Sequence, residues 1–184
     1  MVSSHHSGVL EKTKVYLIGH MQYIDGRGWR DDAESQLEDM GITVFNPFKK
    51  PFETDVEEGS NVAEEMAKQM ENGEYQEVSR RMKKIRAFDL NLVDRSDFII
   101  GHFHPSIASW GSSEELGVAV RMKKPIFLSI EGGVSKTPFW IMGQIPPECL
   151  YNSVEDILNE VKSINSGEKQ VSLTRWRLLK KNKR

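Results

Sequence analysis

The chain alternates between short apolar runs and longer segments in which apolar residues recur every three or four positions. The apolar runs, bounded by Gly, Pro or Asn, predict strands at 13–19, 42–45, 98–103 and 125–130. The helical periodicity predicts helices at 29–40, 61–71, 76–95, 113–122 and 153–164, with one further helical turn at 138–143. Strands that alternate with helices indicate a parallel sheet with right-handed crossovers. We therefore predict an α/β fold, a flavodoxin-like or Rossmann-like three-layer sandwich with about five parallel strands.

The chain length and apolar content fit one folded domain. Of the 184 residues, 38% are hydrophobic, which suffices for a single core. We place the domain at 13–166, after a disordered leader at 1–12 and before a basic tail at 167–184. The leader lacks the basic start and apolar centre of a signal peptide. The tail, with Trp176 among its cationic residues, is either solvated or forms a weak contact to an anionic or protein partner.

Charge, hydropathy and cysteine content exclude several classes of function. A formal net charge of −2 argues against wholesale binding to nucleic acid or to an anionic membrane. No apolar run approaches the ~20 residues of a membrane span. The lone Cys149 leaves no intramolecular disulfide and no cysteine-built zinc site, which favours a reducing cytosol. We expect a cytoplasmic protein whose partners include neither nucleic acid nor membrane.

Candidate chemistry lies around the strand predicted at 98–103. Polar residues follow this strand, and the next helix carries Glu115 in its first turns. In open parallel sheets ligands bind beyond the carboxyl ends of the strands, where helix N-termini also attract anions. Asp89 comes just before the strand and can reach the same crevice. Such an acidic pair can serve glycosyl transfer, one carboxylate attacking the anomeric carbon while the other handles the proton, although solvated or capping carboxylates are the more frequent alternative.

From position 14 to 128 the chain resembles the nucleoside 2-deoxyribosyltransferase superfamily, which includes nucleotide N-glycoside hydrolases. The similar segments are 15–19, 89–90 with 96–100, and 111–119 with 124–125, in the family's order and approximate spacing. The resemblance implies that Glu115 is the nucleophile, that Asp89 assists departure of the base, and that the hydroxyl of Tyr16 lies near the nucleophile. Tyr16 can also be an ordinary buried strand aromatic. Glu114 falls on a variable position and is predicted to be a solvated helix residue.

In the family that the chain resembles, the position six residues before the nucleophile, here six before Glu115, distinguishes members that act on nucleosides from those that act on nucleotides. Members that act on free nucleosides tend to carry Asp there, whereas nucleotide hydrolases tend to carry a Ser that contacts the 5′-phosphate. This chain has Ser109, with Ser112 nearby, and Ser106 is the alternative equivalent. Hydroxyls and helix N–H groups bind a phosphate that an aspartate repels.

The first loop and the turn before Glu115 supply further candidates for substrate binding. Arg27 and Arg30 carry guanidinium forks suited to phosphate, and Arg30 can equally be a surface residue of the first helix. The full set assigned to substrate binding is Gly19, His20, Arg27, Arg30, Ser109, Gly111 and Ser112. His20, His102 and His104 lack a matching carboxylate frame, so we expect no metal. The resemblance likewise implies no metal and no organic cofactor.

These observations predict an enzyme that cleaves or transfers the N-glycosidic bond of a nucleoside 5′-monophosphate or nucleoside, through a glycosyl ester on Glu115. One alternative is a 2-deoxyribosyltransferase that exchanges bases on free nucleosides. Others are a non-catalytic nucleotide-binding protein and a nucleic-acid-associated protein that uses the basic tail. The apolar segment 138–142 favours a homo-oligomer, unless it packs against the protein's own last helix.

Overall fold

One parallel sheet organises the molecule. The computed structural model describes residues 8–21, 25–49, 60–107, 109–172, 174–176 and 179. The strands are β1 (Lys14–Gly19), β2 (Thr43–Phe45), β3 (Phe98–Phe103), β4 (Ile126–Ile130) and β5 (Leu150–Tyr151). All pairings are parallel, in the order β2-β1-β3-β4-β5. This is the flavodoxin-like order and confirms the predicted fold class.

Helices cover both faces of this sheet. They are α1 (Asp25–Asp39), α2 (Ser60–Glu71), α3 (Tyr75–Arg95), α4 (Trp110–Arg121), α5 (Phe139–Met142) and α6 (Val154–Asn165). Because successive strand residues point to opposite faces, Val15 of β1 joins a core with α1 and α6. Its neighbour Tyr16 joins a second core with α3 and α4. The alternation thus aims Tyr16 at the two helices that carry the predicted carboxylates.

Three elements differ from the sequence-based expectation. The strand β5 was not among the predicted segments, because it is only two residues long and pairs with β4 alone. The helices α1 and α4 begin at Asp25 and Trp110, ahead of the predicted starts at 29 and 113. Ser109 precedes α4 with an extended backbone (φ −125°, ψ 94°), so the chain enters the helix directly from the loop after β3.

Both terminal segments contribute to the packed core. Leu10, inside the predicted leader, is fully buried, and its N–H donates to the Asn165 side-chain oxygen at 2.8 Å. Trp176, inside the predicted tail, is buried between Phe98 and Phe127, with ring centroids 5.5 and 6.0 Å away. Packing therefore extends beyond the predicted domain limits at both ends. Residues 1–7 of the leader and most cations of the tail lie outside the described residues.

The topology fixes where a ligand can bind. The chain leaves β1 for the edge strand β2 and then returns across β1 to β3, so β1 and β3 flank the point where the strand order reverses. Crevices in such sheets open at the carboxyl ends of these two strands. Gly19 and His102 stand opposite each other at that end. Within the described part of the chain, no helix combines the length and apolar character that a membrane crossing needs.

Candidate active site

A cavity of about 410 Å³ opens at the carboxyl end of β1, between α3 and α4. Both predicted catalytic carboxylates and almost all predicted binding residues border it. Its lining comprises Tyr16, Gly19, His20, Met21, Arg30, Pro47, Met82, Ile85, Arg86, Asp89, Leu90, Ser109, Trp110, Gly111, Ser112, Glu114 and Glu115. Of the residues assigned from the sequence, Arg27 alone is missing from this lining.

Tyr16 and Glu115 are in direct contact. The Tyr16 hydroxyl donates to Glu115 Oε1 at 3.1 Å. Tyr16 is almost fully buried, which holds its ring in one orientation, whereas Glu115 is half-buried on the cavity wall. A hydrogen bond from a fixed phenol restricts the rotamers of the carboxylate. Tyr16 is thus both a buried strand aromatic and a hydrogen-bond donor at the cavity.

Asp89 borders the same cavity from α3. It lies on the buried face of that helix together with Ile85, Leu92 and Val93, and it is only 6% exposed. A carboxylate on an otherwise apolar helix face is unusual, because burying its charge carries a desolvation cost. Asp89 and Glu115 therefore approach the cavity from two helices, one on each side.

A second glutamate, Glu114, is held by Arg86. Arg86 Nε donates to Glu114 Oε2 at 2.7 Å, and Arg86 Nη2 donates to Glu114 Oε1, so the contact is bidentate. The hydrogen bond from Arg86 lowers the pKa of the Glu114 carboxyl below its ordinary value. Glu114, predicted to be a solvated helix residue, is thus paired, and Arg86 was not among the predicted site residues. Only the spacing of Arg86 and Asp89, three positions apart on one helix, pointed to a shared face.

The start of α4 forms a polar wall of the cavity. Ser109 Oγ donates to Ser112 Oγ at 2.7 Å, and Ser112 is buried. The first N–H groups of a helix lack partners within the helix, and those of α4 belong to residues 110–112. A Cβ added at Gly111 would meet no atom within 4 Å, so this turn is open to a ligand. Such a turn can bind an anion.

Ser109, rather than Ser106, borders the cavity. Ser106 is exposed in the preceding turn, where its N–H donates to His104 Nδ1 at 3.2 Å. The structure thus separates the two serines that the sequence left as alternatives.

Arg30 braces the end of β1. Its guanidinium is fully buried, and Nη1 donates to the His20 carbonyl at 3.1 Å. The group also lies 4.6 Å from the Trp29 ring centroid. Arg30 is therefore not a surface residue of α1; it fixes the backbone at His20 and places a positive charge at the cavity. Gly19 is needed here because an added Cβ would lie 2.7 Å from the His102 carbonyl oxygen.

Arg27 does not join this group. Its side chain is exposed, and its Nε lies 3.4 Å from Asp31 Oδ2, one turn further along α1. The Arg27 guanidinium also lies 5.9 Å from the centroid of the Phe48 ring, and neither residue lines the cavity.

The histidines at the carboxyl ends of β1 and β3 have other partners. His102 Nδ1 lies 2.9 Å from Ser129 Oγ, and its Nε2 lies 3.4 Å from Glu131 Oε2. Burial lowers the pKa of His102, with Glu131 opposing the shift. The rings of His20 and His104 meet edge to face at 6.4 Å. Among the residues that the structure describes, no three His, Cys, Asp or Glu side chains are grouped as a metal site requires.

Comparison with known proteins places this chain in a family. Residues 15–135 match the family described as nucleoside 2-deoxyribosyltransferase. A 2-deoxyribosyltransferase from Bacillus psychrosaccharolyticus is similar in structure, with a TM-score of 0.56 and 19% identity over 80% of this chain and 91% of that chain. A CMP N-glycosidase from Clostridium botulinum is similar with a TM-score of 0.46 and 18% identity, over 82% of this chain and 98% of that chain. Curated protein sequences give no match.

The family match spans more than half of the chain and includes β1, α3, β3 and α4, which together carry the cavity. It confirms the resemblance inferred from the sequence segments around Tyr16, Asp89 and Glu115. The similarity to the Bacillus protein shows a common fold. The chain thus belongs to the nucleoside 2-deoxyribosyltransferase family, and it is an enzyme of the glycosyl-transferring or glycosyl-hydrolysing type.

Proposed function

We propose that this enzyme cleaves the N-glycosidic bond of a nucleoside 5′-monophosphate through a covalent glycosyl ester on Glu115. The observation that carries the proposal is the hydrogen bond from Tyr16 to Glu115, 3.1 Å long, in a cavity that Asp89 also borders. A nucleophilic carboxylate must be accessible and held in one orientation. Glu115 meets both conditions, because it is half-buried at the cavity and the Tyr16 hydroxyl orients its carboxylate.

The reaction follows from the two carboxylates. A carboxylate oxygen of Glu115 attacks C1′ of the sugar as the bond from C1′ to the base nitrogen breaks. The electron pair of that bond leaves with the base, and Asp89 assists its departure by hydrogen bonding or proton transfer. Water then attacks C1′ of the ester: its hydroxyl stays on C1′, its proton balances the one taken up by the departing base, and Glu115 leaves as the carboxylate, which yields the sugar 5-phosphate. Two displacements retain the anomeric configuration.

The start of α4 supports a phosphorylated substrate. The paired hydroxyls of Ser109 and Ser112 and the free N–H groups of the first helical turn form a wall that suits a phosphate. The buried cation Arg30 lies at the same cavity and adds a positive potential. Gly19, His20 and Gly111 shape the backbone around the sugar in this proposal. Arg27 is left out, because it does not line the cavity and its exposed side chain pairs with Asp31.

A panel of nucleosides and nucleoside 5′-monophosphates, incubated with and without a free acceptor base and followed by chromatography, tests this proposal. We expect release of free base together with a sugar 5-phosphate, faster from monophosphates than from nucleosides. Equal or better use of free nucleosides, with base exchange when an acceptor is present, would instead identify a transferase. No base release from any substrate would indicate a non-catalytic nucleotide-binding protein.

We also propose that the enzyme is a homo-oligomer in which the segment after β4 contacts a second copy at the rim of the active site. Phe139 and Trp140 are 94% and 82% exposed. Ile141, the next residue, is buried in the core. The alternative packing of this segment against the last helix therefore does not hold for these two rings. Trp110, at the mouth of the cavity, is 88% exposed as well. Large exposed aromatics of this kind mark interaction surfaces.

A further inference from the structure

One ion pair in the cavity wall has no part in the proposed reaction. Arg86 and Glu114 join α3 to α4 through a bidentate contact, and both side chains border the cavity. Their side chains are 58% and 39% exposed. Exposed ion pairs contribute little to stability, so the stability of the fold does not explain why this pair stands at the site.

The position of the pair relative to the two carboxylates is specific. Arg86 precedes Asp89 by three residues on α3, and both border the cavity. Glu114 is the residue immediately before Glu115 on α4. The bidentate contact therefore joins the helical turn that carries Asp89 to the turn that carries Glu115.

The pair also reduces the negative charge beside Glu115. Two adjacent glutamates place two negative charges beside the position where an anionic substrate would bind. The guanidinium of Arg86 neutralises one of them, and the hydrogen bond that it donates lowers the pKa of Glu114. The titratable and charged groups that border the cavity with Glu115 are Tyr16 from β1, His20 and Arg30 from the β1–α1 region, Arg86 and Asp89 from α3, and Glu114 from α4 itself.

We propose that Arg86 and Glu114 are positioning residues: the pair holds the Glu115 turn of α4 against the Asp89 turn of α3 and cancels the charge of Glu114 beside the nucleophile. This inference deepens the proposed function and rests on it for the role of Glu115. It predicts that the two members of the pair influence Glu115 in opposite directions. Loss of Arg86 leaves an uncompensated anion near Glu115, and loss of Glu114 leaves an uncompensated cation.

The direct test follows the Glu115 carboxyl by NMR in protein labelled with ¹³C at the glutamate side chains, using Glu115→Gln to assign the signal. We expect the pKa of Glu115 to rise in Arg86→Met and to fall in Glu114→Gln, both relative to the native protein. The double variant should return close to the native value. Shifts in the same direction, or no shift in either single variant, would overturn the proposal. This measurement needs no turnover, so a native protein that releases no base would defeat the proposed function and leave this test valid.

Kinetics separate the charge from the geometry. Arg86→Lys keeps the positive charge but loses the bidentate fork. We expect its kcat to fall by roughly 3- to 10-fold with KM and the acid limb of the pH profile little changed, because a misaligned nucleophile slows the chemical step. An unchanged kcat would overturn the positioning role.

The matched control is Arg81 with Glu65, which joins α3 to α2 at 2.9 Å and does not border the cavity. Arg81→Met and Glu65→Gln should leave both the Glu115 titration and kcat unchanged, and an equal effect there would also overturn the proposal.

Discussion

At the scale of single residues, the proposed reaction depends on Glu115. We predict that Glu115→Gln lowers kcat by at least ~10³-fold, since a neutral amide cannot form the glycosyl ester. The substitution keeps the shape of a half-exposed side chain, so circular dichroism and the unfolding midpoint should stay native. Glu114→Gln is the control, and we expect a far smaller loss from it. A loss as large as that of Glu115→Gln would assign the nucleophile to Glu114.

In the proposed mechanism, Tyr16 orients Glu115 through its hydroxyl. We predict that Tyr16→Phe lowers kcat/KM by ~10- to 100-fold, the effect of losing one hydrogen bond to a charged group. Tyr151→Phe is a matched control, because Tyr151 packs against Phe127 in the other core and has no contact with the cavity. Steady-state kinetics of both variants decide the question. Similar losses in the two would mean that Tyr16 acts only through packing.

The sequence allowed some of the site residues to be predicted, but not the contacts between them. Glu115, Asp89 and Tyr16 were recognised through their surrounding segments, but the bond between Tyr16 and Glu115 joins positions 99 residues apart and required the fold. Arg86 escaped notice because a charged residue on a long exposed helix is usually solvated, and its partner lies on another helix. Arg27 was assigned from its guanidinium alone, and its direction on α1 was not predictable without the strand end that precedes it.

At the scale of elements, the start of α4 is the proposed phosphate site. We predict that Ser109→Asp weakens kcat/KM for 5′-monophosphates by ~10- to 100-fold, because it replaces the Ser109–Ser112 contact by a negative charge at the helix N-terminus. Free nucleosides should be affected much less. Ser106→Asp introduces the same charge in the exposed turn before α4 and should leave kcat/KM unchanged for both 5′-monophosphates and free nucleosides. A parallel loss for nucleosides and nucleotides in Ser109→Asp would argue against a phosphate contact.

Elements with strong periodicity were predictable, and those set by tertiary context were not. The strand β3 was predicted with its observed limits, since an uninterrupted apolar run with polar ends has one consistent interpretation. The strand β5 has two residues and no alternation to detect, and it exists because β4 offers a free edge. The early start of α4 depends on the conformation of Ser109, which sequence periodicity does not reveal.

At the scale of the whole molecule, Trp176 and Leu179 near the C-terminus are part of the core. Trp176 is 6% exposed and packs between Phe98 of β3 and Phe127 of β4. We predict that Trp176→Ala lowers the free energy of unfolding by ~3 kcal/mol, the usual cost of emptying a large buried site. Urea denaturation measures this change. Tyr75→Ala, at a ring that is 60% exposed on α3, should cost well under ~1 kcal/mol. An equally small effect in Trp176→Ala would mean that this segment is not held in the core.

The exposed aromatic side chains allow the proposed assembly of the whole molecule to be tested. Trp140 is 82% exposed. The next residue, Ile141, is buried in the core, so the backbone that carries the Trp140 ring is held in place. We predict that Trp140→Asp dissociates the oligomer, because a buried, unpaired carboxylate at an interface is costly. Light scattering of the native protein and the variant, at the concentrations used for activity, measures this. Lys136→Asp, which changes an exposed residue before that segment, is the control for added charge. A native monomer that is fully active, or an unchanged association state in Trp140→Asp, would contradict the proposed assembly.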